Sequence, residues 1–232
     1  ILRDLTSMLR VNLESLLTAY EFLAVLDLEG SKAKVAIDLD SHFPEVVDRP
    51  ALKWINARHP ALVLNLRGKR NVVPLNISLS ERDHFLLVSG PNAGGKSVCL
   101  KTTGLIQYML QCGMMVPMDE SSTVGLFRNM FVDIGDQQSI ENDLSTYSSH
   151  LRNMQYFLSH ADNSSLILMD ELGTGTDPNF GGGIAQAVLA ELVKVGAWGV
   201  ATTHYYNLKV FASQTPGILN GAMMFDTQNL QP

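Results

Sequence analysis

The sequence is poor in charge, in cysteine and in basic residues. Charged residues make up 17% of its 232 positions, below the roughly 25% that is usual in globular domains. Acidic residues outnumber basic ones by 23 to 17, which gives a formal net charge of -6. This balance excludes a chain coated with basic residues for binding nucleic-acid phosphates. The two cysteines, Cys99 and Cys112, are too few for a disulfide framework, so we expect a reduced, cytoplasmic protein.

Long apolar runs are missing as well. The charge-free stretch between Lys101 and Asp119 is interrupted by polar residues and by Pro117, which excludes a membrane span of about 20 apolar residues. The first residues do not show the basic, apolar and small-residue pattern of a secretory signal, so we expect no export. Because the sequence starts at Ile1 inside a helical pattern, we expect a piece of a longer protein.

The pattern changes near residue 50. Before it, apolar residues at steps of three and four predict a helix with a possible break at Gly30, serving either for packing or as a lever. The apolar positions are Leu2, Leu5, Leu9, Leu13, Leu16, Leu17, Tyr20 and Ala24. Residues 38–50 are polar and predict a connection. We therefore predict a helical segment over residues 1–50 and a second domain over residues 51–232.

Short apolar runs alternate with helical stretches after residue 50. Predicted strands lie at Val72-Val73 and at 85–88, 131–134, 166–169 and 199–203, and predicted helices at 97–109, 151–161 and 183–195. Strands and helices alternating at this spacing indicate an α/β domain with a mostly parallel sheet.

Residues 90–97, Gly-Pro-Asn-Ala-Gly-Gly-Lys-Ser, match the phosphate-loop pattern G-x-x-x-x-G-K-[ST] between a predicted strand and a predicted helix. Glycines let backbone N–H groups converge on phosphate oxygens, and the helix N-terminus adds positive potential. Lys96 is predicted to neutralise the β- and γ-phosphates of ATP, and the Ser97 hydroxyl to bind Mg²⁺.

A carboxylate pair follows the apolar strand at 166–169. Asp170 is predicted to hold the metal through water, and Glu171 to polarise an attacking water. A strand-end charge pair without a catalytic role is the alternative, which the nearby phosphate loop disfavours. The adjacent Asp170 and Glu171 favour hydrolysis of the nucleotide by water over phosphoryl transfer by a kinase.

Two further residues are candidate site residues because of their positions in predicted elements. Ser145 lies near the start of a predicted helix, where hydroxyl and N–H groups form an anion site, although Ser145 or Thr146 could simply cap that helix. His204 follows another predicted strand. It is either a structural histidine or a sensor of the γ-phosphate.

The order of these motifs resembles an ABC-type ATPase, and in detail the ATPase domain of the MutS DNA mismatch-repair family. The matching segments are G-P-N-x-G-G-K-S at 90–97, S-T-[FY] at 145–147, D-E-[LIM]-G-x-G-T at 170–176, T-H-Y at 203–205 and R-H-P at 58–60. Residues 134–147 and Asp177-Pro178 resemble the family's second branch, which is associated with recombination control.

The resemblance implies a P-loop fold that hydrolyses ATP with Mg²⁺ and has composite sites in a homodimer, where Ser145 of one subunit faces the nucleotide of the other. It implies DNA contact through domains outside this chain. Its implied nucleotide contacts are Gly90, Pro91, Asn92, Ala93, Gly94, Gly95, Lys96, Ser97, Val98, His59, Val72, Val73 and Ser145. Its implied metal ligands are Ser97 and Asp170, and its implied catalytic residues are Glu171, His204 and Lys96.

Two departures from the family pattern stand out. Val72-Val73 occupies the place of a Phe-Ile pair at the adenine. The chain stops at Pro232, before the expected dimerisation element, so we expect it to be monomeric or weakly dimeric on its own.

The motifs leave two other functions to compare with this one. ATPases of chromosome condensation and double-strand-break repair carry L-S-G-G and long coiled-coil insertions, for which the segment from Lys96 to Ser145 leaves no room. A nucleotide-gated interaction module that binds ATP with little turnover is the other alternative. Only a measurement of the rate of ATP hydrolysis distinguishes it from an ATPase.

Overall fold

The computed structural model describes residues 2–91, 94–135 and 143–223. Its helices are α1 (Leu2–Arg10), α2 (Leu13–Leu39), α3 (Pro60–Leu66), α4 (Lys96–Gln111), α5 (Asp143–His160), α6 (Pro178–Lys194) and α7 (Tyr206–Gln214). Its strands are β1 (Glu45–Val47), β2 (Leu52–Ala57), β3 (Leu75–Leu79), β4 (Phe85–Ser89), β5 (Thr123–Gly125), β6 (Asn129–Asp133), β7 (Ser165–Met169), β8 (Trp198–Thr203) and β9 (Ile218–Ala222).

The central element is a five-stranded sheet in the order β6-β7-β8-β4-β9. All four pairings in it are parallel. The predicted α/β fold with a mostly parallel sheet is confirmed. The strand predicted at 131–134 begins two residues earlier, at Asn129, and the helix predicted from residue 151 begins at Asp143.

The apolar runs of these strands are explained by burial on both faces of the sheet. Alternate residues of β7 separate into two cores: Leu166 and Leu168 pack on one face, with α4 and the smaller sheet. Ile167 and Met169 pack on the other face, among residues of α5, α6 and α7. The sheet is therefore the middle layer of the domain.

A second sheet has four strands in the order β1-β5-β2-β3 and was not predicted from the sequence. It is mixed, since β1 and β5 are parallel and β2 is antiparallel to both neighbours. The strand predicted at Val72-Val73 is wrong, because both residues precede Pro74 in an irregular segment ahead of β3. Proline cannot donate to a strand ladder, and it restricts the residue before it. The connection predicted at 38–50 contains the end of α2 and all of β1.

Helix α2 continues through Gly30, so the possible break there is wrong, and the chain instead turns at Val11 and Asn12. The apolar stripe of α1 and α2 is largely exposed, and burial along α2 is confined to Ala36 and Leu39. The division at residue 50 stays a prediction; β1, which precedes it, pairs with β5 of the second sheet.

Ion pairs fasten the end of α2 to the α/β domain. The guanidinium of Arg58 lies 3.1 Å from the carboxylate of Asp40, and that of Arg67 lies 3.3 Å from Asp38. Arg58 and Arg67 are thus both paired with acidic side chains. Their charges are partly neutralised within the chain.

Candidate active site

Three of the predicted functional segments lie at one edge of the five-stranded sheet. In parallel strands the carboxyl ends share an edge, and β4, β8 and β7 are neighbours. The phosphate loop follows β4, Asp170 and Glu171 follow β7, and His204 follows β8. Ligands of open α/β sheets bind at this edge. The topology therefore brings together three segments that are far apart in sequence.

The phosphate loop runs from Gly90 into the first turn of α4. Gly95 caps that helix with a φ of 85°, a left-handed conformation that favours glycine. The side chain of Lys96 returns into the loop, where its ammonium donates to the carbonyl of Gly90 at 2.7 Å. Ser97 is half-buried beside it. Asn92 and Ala93, two of the predicted contacts, lie outside the described residues.

Lys96 is only 2% exposed although it carries a charge. Burial lowers its pKa from the usual value, while the negative charges of Glu171 and Asp170 raise it and Lys209 lowers it further. A buried ammonium is costly unless negative charge compensates it. Lys96 is therefore placed to be stabilised by an anion in the loop.

Thr202 connects the two carboxylate residues that follow β7. Its hydroxyl donates to Asp170 Oδ1 at 2.5 Å and accepts from the backbone N–H of Glu171 at 2.7 Å. Glu171 has a φ of 48°, which is unusual for a residue with a side chain. Sequence reasoning missed Thr202, and its only signal was a position one residue before the T-H-Y match.

His204 lies beside Glu171. Its Nε2 is 3.7 Å from Glu171 Oε1, beyond hydrogen-bond distance but close enough for charges to interact. The side chains of His204 and Glu171 are 36% and 27% exposed. Both are accessible from the open edge of the sheet, where a reacting water and a phosphate could reach them.

The loop after Glu171 packs closely on α6 and β8. Gly173 has a φ of 91°, and a Cβ there would meet the carbonyl of Gly181 at 2.7 Å. The hydroxyl of Tyr205 donates to the Gly173 carbonyl at 3.1 Å. The segments that follow β7 and β8 are therefore fixed to one another.

An apolar pocket of about 250 Å³ opens next to the phosphate loop. Its lining includes the predicted contacts His59, Val72, Val73, Gly94, Gly95 and Val98. Sequence reasoning missed other lining residues, among them Leu62, Leu66, Arg70, Cys99, Thr102 and Met223. Burial lowers the pKa of His59, which favours a neutral ring, and its Nδ1 accepts from the N–H of Leu62 at 3.4 Å. The pocket can take a flat apolar group.

Ser145 belongs to the first turn of α5, whose first residue is Asp143. The backbone is therefore helical at Ser145, as a helix-start site requires. The side chain of Ser145 lies outside the described residues, and so does its predicted contact.

Residues 86–231 match the family model described as MutS domain V. The chain belongs to the MutS domain V family. This is a family of P-loop ATPase domains, which agrees with the phosphate loop and the parallel sheet.

Relatives of this MutS domain V chain carry the name Endonuclease MutS2. The protein from Thermomicrobium roseum is 44% identical over all of this chain, which covers 30% of that protein. Those from Carboxydothermus hydrogenoformans and Geobacillus thermodenitrificans are 41% and 43% identical over all of this chain, which covers 29% of each. The chain thus spans less than a third of these relatives. The predicted resemblance to the second, recombination-associated branch is confirmed.

Neither a membrane helix nor a cluster of metal-binding side chains is found in residues 2–91, 94–135 and 143–223. No helix there is long and apolar enough to cross a bilayer. No group of three or more His, Cys, Asp or Glu residues there could hold a metal ion.

Proposed function

We propose that this chain binds ATP with Mg²⁺ and hydrolyses it to ADP and phosphate. The observation that carries the proposal is the meeting of the phosphate loop, the Asp170-Glu171 pair and His204 at one sheet edge. A kinase would need a place for a second substrate beside the γ-phosphate. In the proposed site, a carboxylate and an imidazole would face the γ-phosphate, and these groups suit an attacking water.

The ATP phosphates would occupy the loop between Gly90 and Lys96. Lys96 would contact the β- and γ-phosphates, and the buried position of its ammonium makes the attraction stronger than in water. Ser97 and Asp170 would hold Mg²⁺, since hydroxyl and carboxylate oxygens are ligands that this ion prefers. When bound, the ion supplies positive charge against the charge that develops on the phosphate oxygens.

Glu171 would accept a proton from the attacking water. Its side chain is 27% exposed, and the Thr202 hydroxyl accepts from the backbone N–H of the same residue at 2.7 Å, which supports this role. His204 would contact the γ-phosphate from the neighbouring strand end. General acid-base groups placed in this way contribute roughly 10²–10⁴-fold to a rate.

The apolar pocket would hold the adenine ring. Val72, Val73 and Val98 offer aliphatic contact rather than an aromatic platform, and His59 also lines the pocket. The pocket adjoins Gly94 and Gly95 of the phosphate loop, so one nucleotide could fill both sites.

Two copies of the chain would form composite sites, with Ser145 of one subunit facing the nucleotide of the other. DNA would be bound by parts of the whole protein outside this chain, in mismatch repair or recombination control. Mixing Ser145→Arg chains with Lys96→Ala chains tests the composite site, because each homodimer lacks activity while the mixed dimer keeps one intact site. Recovery of activity supports the arrangement, and no recovery in verified mixed dimers refutes it.

The experiment that tests hydrolysis is Glu171→Gln, assayed for ATP binding and for phosphate release. We expect unchanged binding and a roughly 10²–10⁴-fold lower turnover. Glu191→Gln is the matched control, since Glu191 is exposed on α6 and pairs only locally with Lys194. A wild-type chain that binds ATP without turnover at any protein concentration would instead indicate the nucleotide-gated interaction module.

A further inference from the structure

A buried carboxylate lies outside the machinery described so far. Asp133 ends β6, and its side chain is 6% exposed. His150 Nδ1 lies 2.7 Å from its Oδ2, and Asn153 Nδ2 donates to its Oδ1 at 2.8 Å. Because a carboxylate only accepts, Nδ1 of His150 carries the proton in this contact. Both oxygens of Asp133 are satisfied by one helix, α5.

The two partners of Asp133 form a single attachment point for α5. His150 and Asn153 are three residues apart and therefore share one face of the helix. A buried carboxylate without donors would cost several kcal/mol, so α5 cannot shift along β6 without breaking both contacts. The attachment fixes the position of the helix along its own axis.

Asp133 also contacts the catalytic strand end. Its backbone carbonyl accepts from the N–H of Asp170 at 2.9 Å. One residue thus joins the segment that carries Asp170 and Glu171 to the helix whose first turn contains Ser145. His150 is five residues after Ser145, which is about 7.5 Å along a helix.

We propose that Asp133 and His150 are positioning residues that hold the first turn of α5 in register with the catalytic edge, so that this turn fits the nucleotide of the other subunit. The proposal rests on the composite ATP site proposed above. His150 then acts on the partner's nucleotide and leaves the nucleotide of its own subunit alone. A purely structural role would have no such preference for one subunit.

The test is complementation between variant chains, at a protein concentration where wild-type specific activity no longer rises. His150→Ala should lower turnover by roughly 10²-fold, the cost of about 1 Å of misplacement, and should keep wild-type ATP affinity. Mixed with Lys96→Ala chains, it should recover activity well above the sum of the two alone. In the mixed dimer, one site combines Lys96 from the first chain with an intact α5 from the second.

Two further variants separate positioning from loss of structure. His160→Ala is the matched control, because His160 is an exposed histidine of α5 that bonds to the carbonyl of Tyr156 in its own helix. It should leave turnover unchanged. His150→Asn keeps a donor near the place of Nδ1 and should restore most of the activity.

The outcomes distinguish this inference from the proposed function. Absence of recovery on mixing, or loss of ATP affinity in His150→Ala, would overturn the inference, because His150 would then act within its own subunit. A wild-type chain without turnover would refute the proposed hydrolysis. Recovery with Ser145→Arg but not with His150→Ala would leave the composite site standing and reject the positioning role.

Discussion

Thr202 offers the sharpest test of how the catalytic edge is built. Thr202→Val keeps the shape of a fully buried side chain and removes the hydroxyl that contacts both Asp170 and Glu171. The N–H of Glu171 loses its acceptor, and an unsatisfied buried donor costs about 1–3 kcal/mol. Asp170 is half-exposed, so water can replace part of its lost bond.

We therefore expect Thr202→Val to lower the free energy of unfolding by about 2–3 kcal/mol, most of it from the orphaned N–H. For a chain of this size that corresponds to a fall in Tm of about 4–12 °C. Turnover should fall further than stability suggests. With φ at 48°, Glu171 relaxes toward ordinary backbone once its N–H is released, and its carboxylate leaves the position of a base.

The assays are urea unfolding and steady-state ATP hydrolysis with Thr202→Ser and Thr103→Val alongside. Thr202→Ser keeps the hydroxyl and should retain most of the turnover. Thr103 is equally buried, but its hydroxyl bonds only to the carbonyl of Cys99 within α4, so Thr103→Val should change turnover little. A Thr202→Val chain with wild-type turnover would refute the assignment of Thr202 as the residue that orients Glu171.

Three other predictions concern the pocket, the charge balance and pH. Val72→Asp places a charge in the apolar pocket and should weaken ATP affinity roughly tenfold, about 1.4 kcal/mol, with little change in kcat; equal weakening by the exposed control Val132→Asp, away from the pocket lining, would contradict this. Duplex DNA should bind this chain no tighter than about 10⁻⁶ M at physiological salt, because the net charge is -6; tight binding that weakens with added salt in fluorescence anisotropy would reject the prediction. The hydrogen bond to Asp133 raises the pKa of His150, helped by the charges of Asp133 and Glu171 and opposed by burial. The charged form of His150 should therefore stabilise the fold fully at pH values below its pKa in the unfolded chain, and this stabilisation should be lost as the pH rises through its pKa in the folded chain. The free energies of urea unfolding of wild type and His150→Asn should then differ most at low pH. A difference that does not change with pH would contradict the contact between charged His150 and Asp133.

The strands of the parallel sheet could be predicted from sequence because they are buried on both faces. All five residues of β7 are buried, and four of them, residues 166–169, form a continuous apolar run that is visible without a structure. The second sheet could not be predicted in the same way. β1 and β5 have three residues each, too few to show a period, and they pair across 78 positions of the chain, as Glu45 does with Thr123.

In the candidate site, too, residues that form a local sequence motif could be predicted, and residues that meet only in the folded chain could not. The places of the phosphate loop and of the Asp170-Glu171 pair at strand ends could be predicted because each motif consists of residues adjacent in sequence. Thr202 and Asp133 could not, since a threonine inside a strand and an aspartate at its end are common, and neither belongs to a local pattern.

The sequence by itself determined the family and the kind of chemistry that is proposed, because the glycines, the lysine and the carboxylate pair form motifs of residues that are adjacent along the chain. Only the tertiary structure decided which side chains hold that chemistry in place. β8 lies between β4 and β7, so Thr202 reaches Asp170, and α5 packs beside β6, so His150 reaches Asp133. Contacts of this kind depend on which strands and helices are neighbours. Strands that are far apart in sequence become neighbours because the whole sheet folds together and buries its apolar faces.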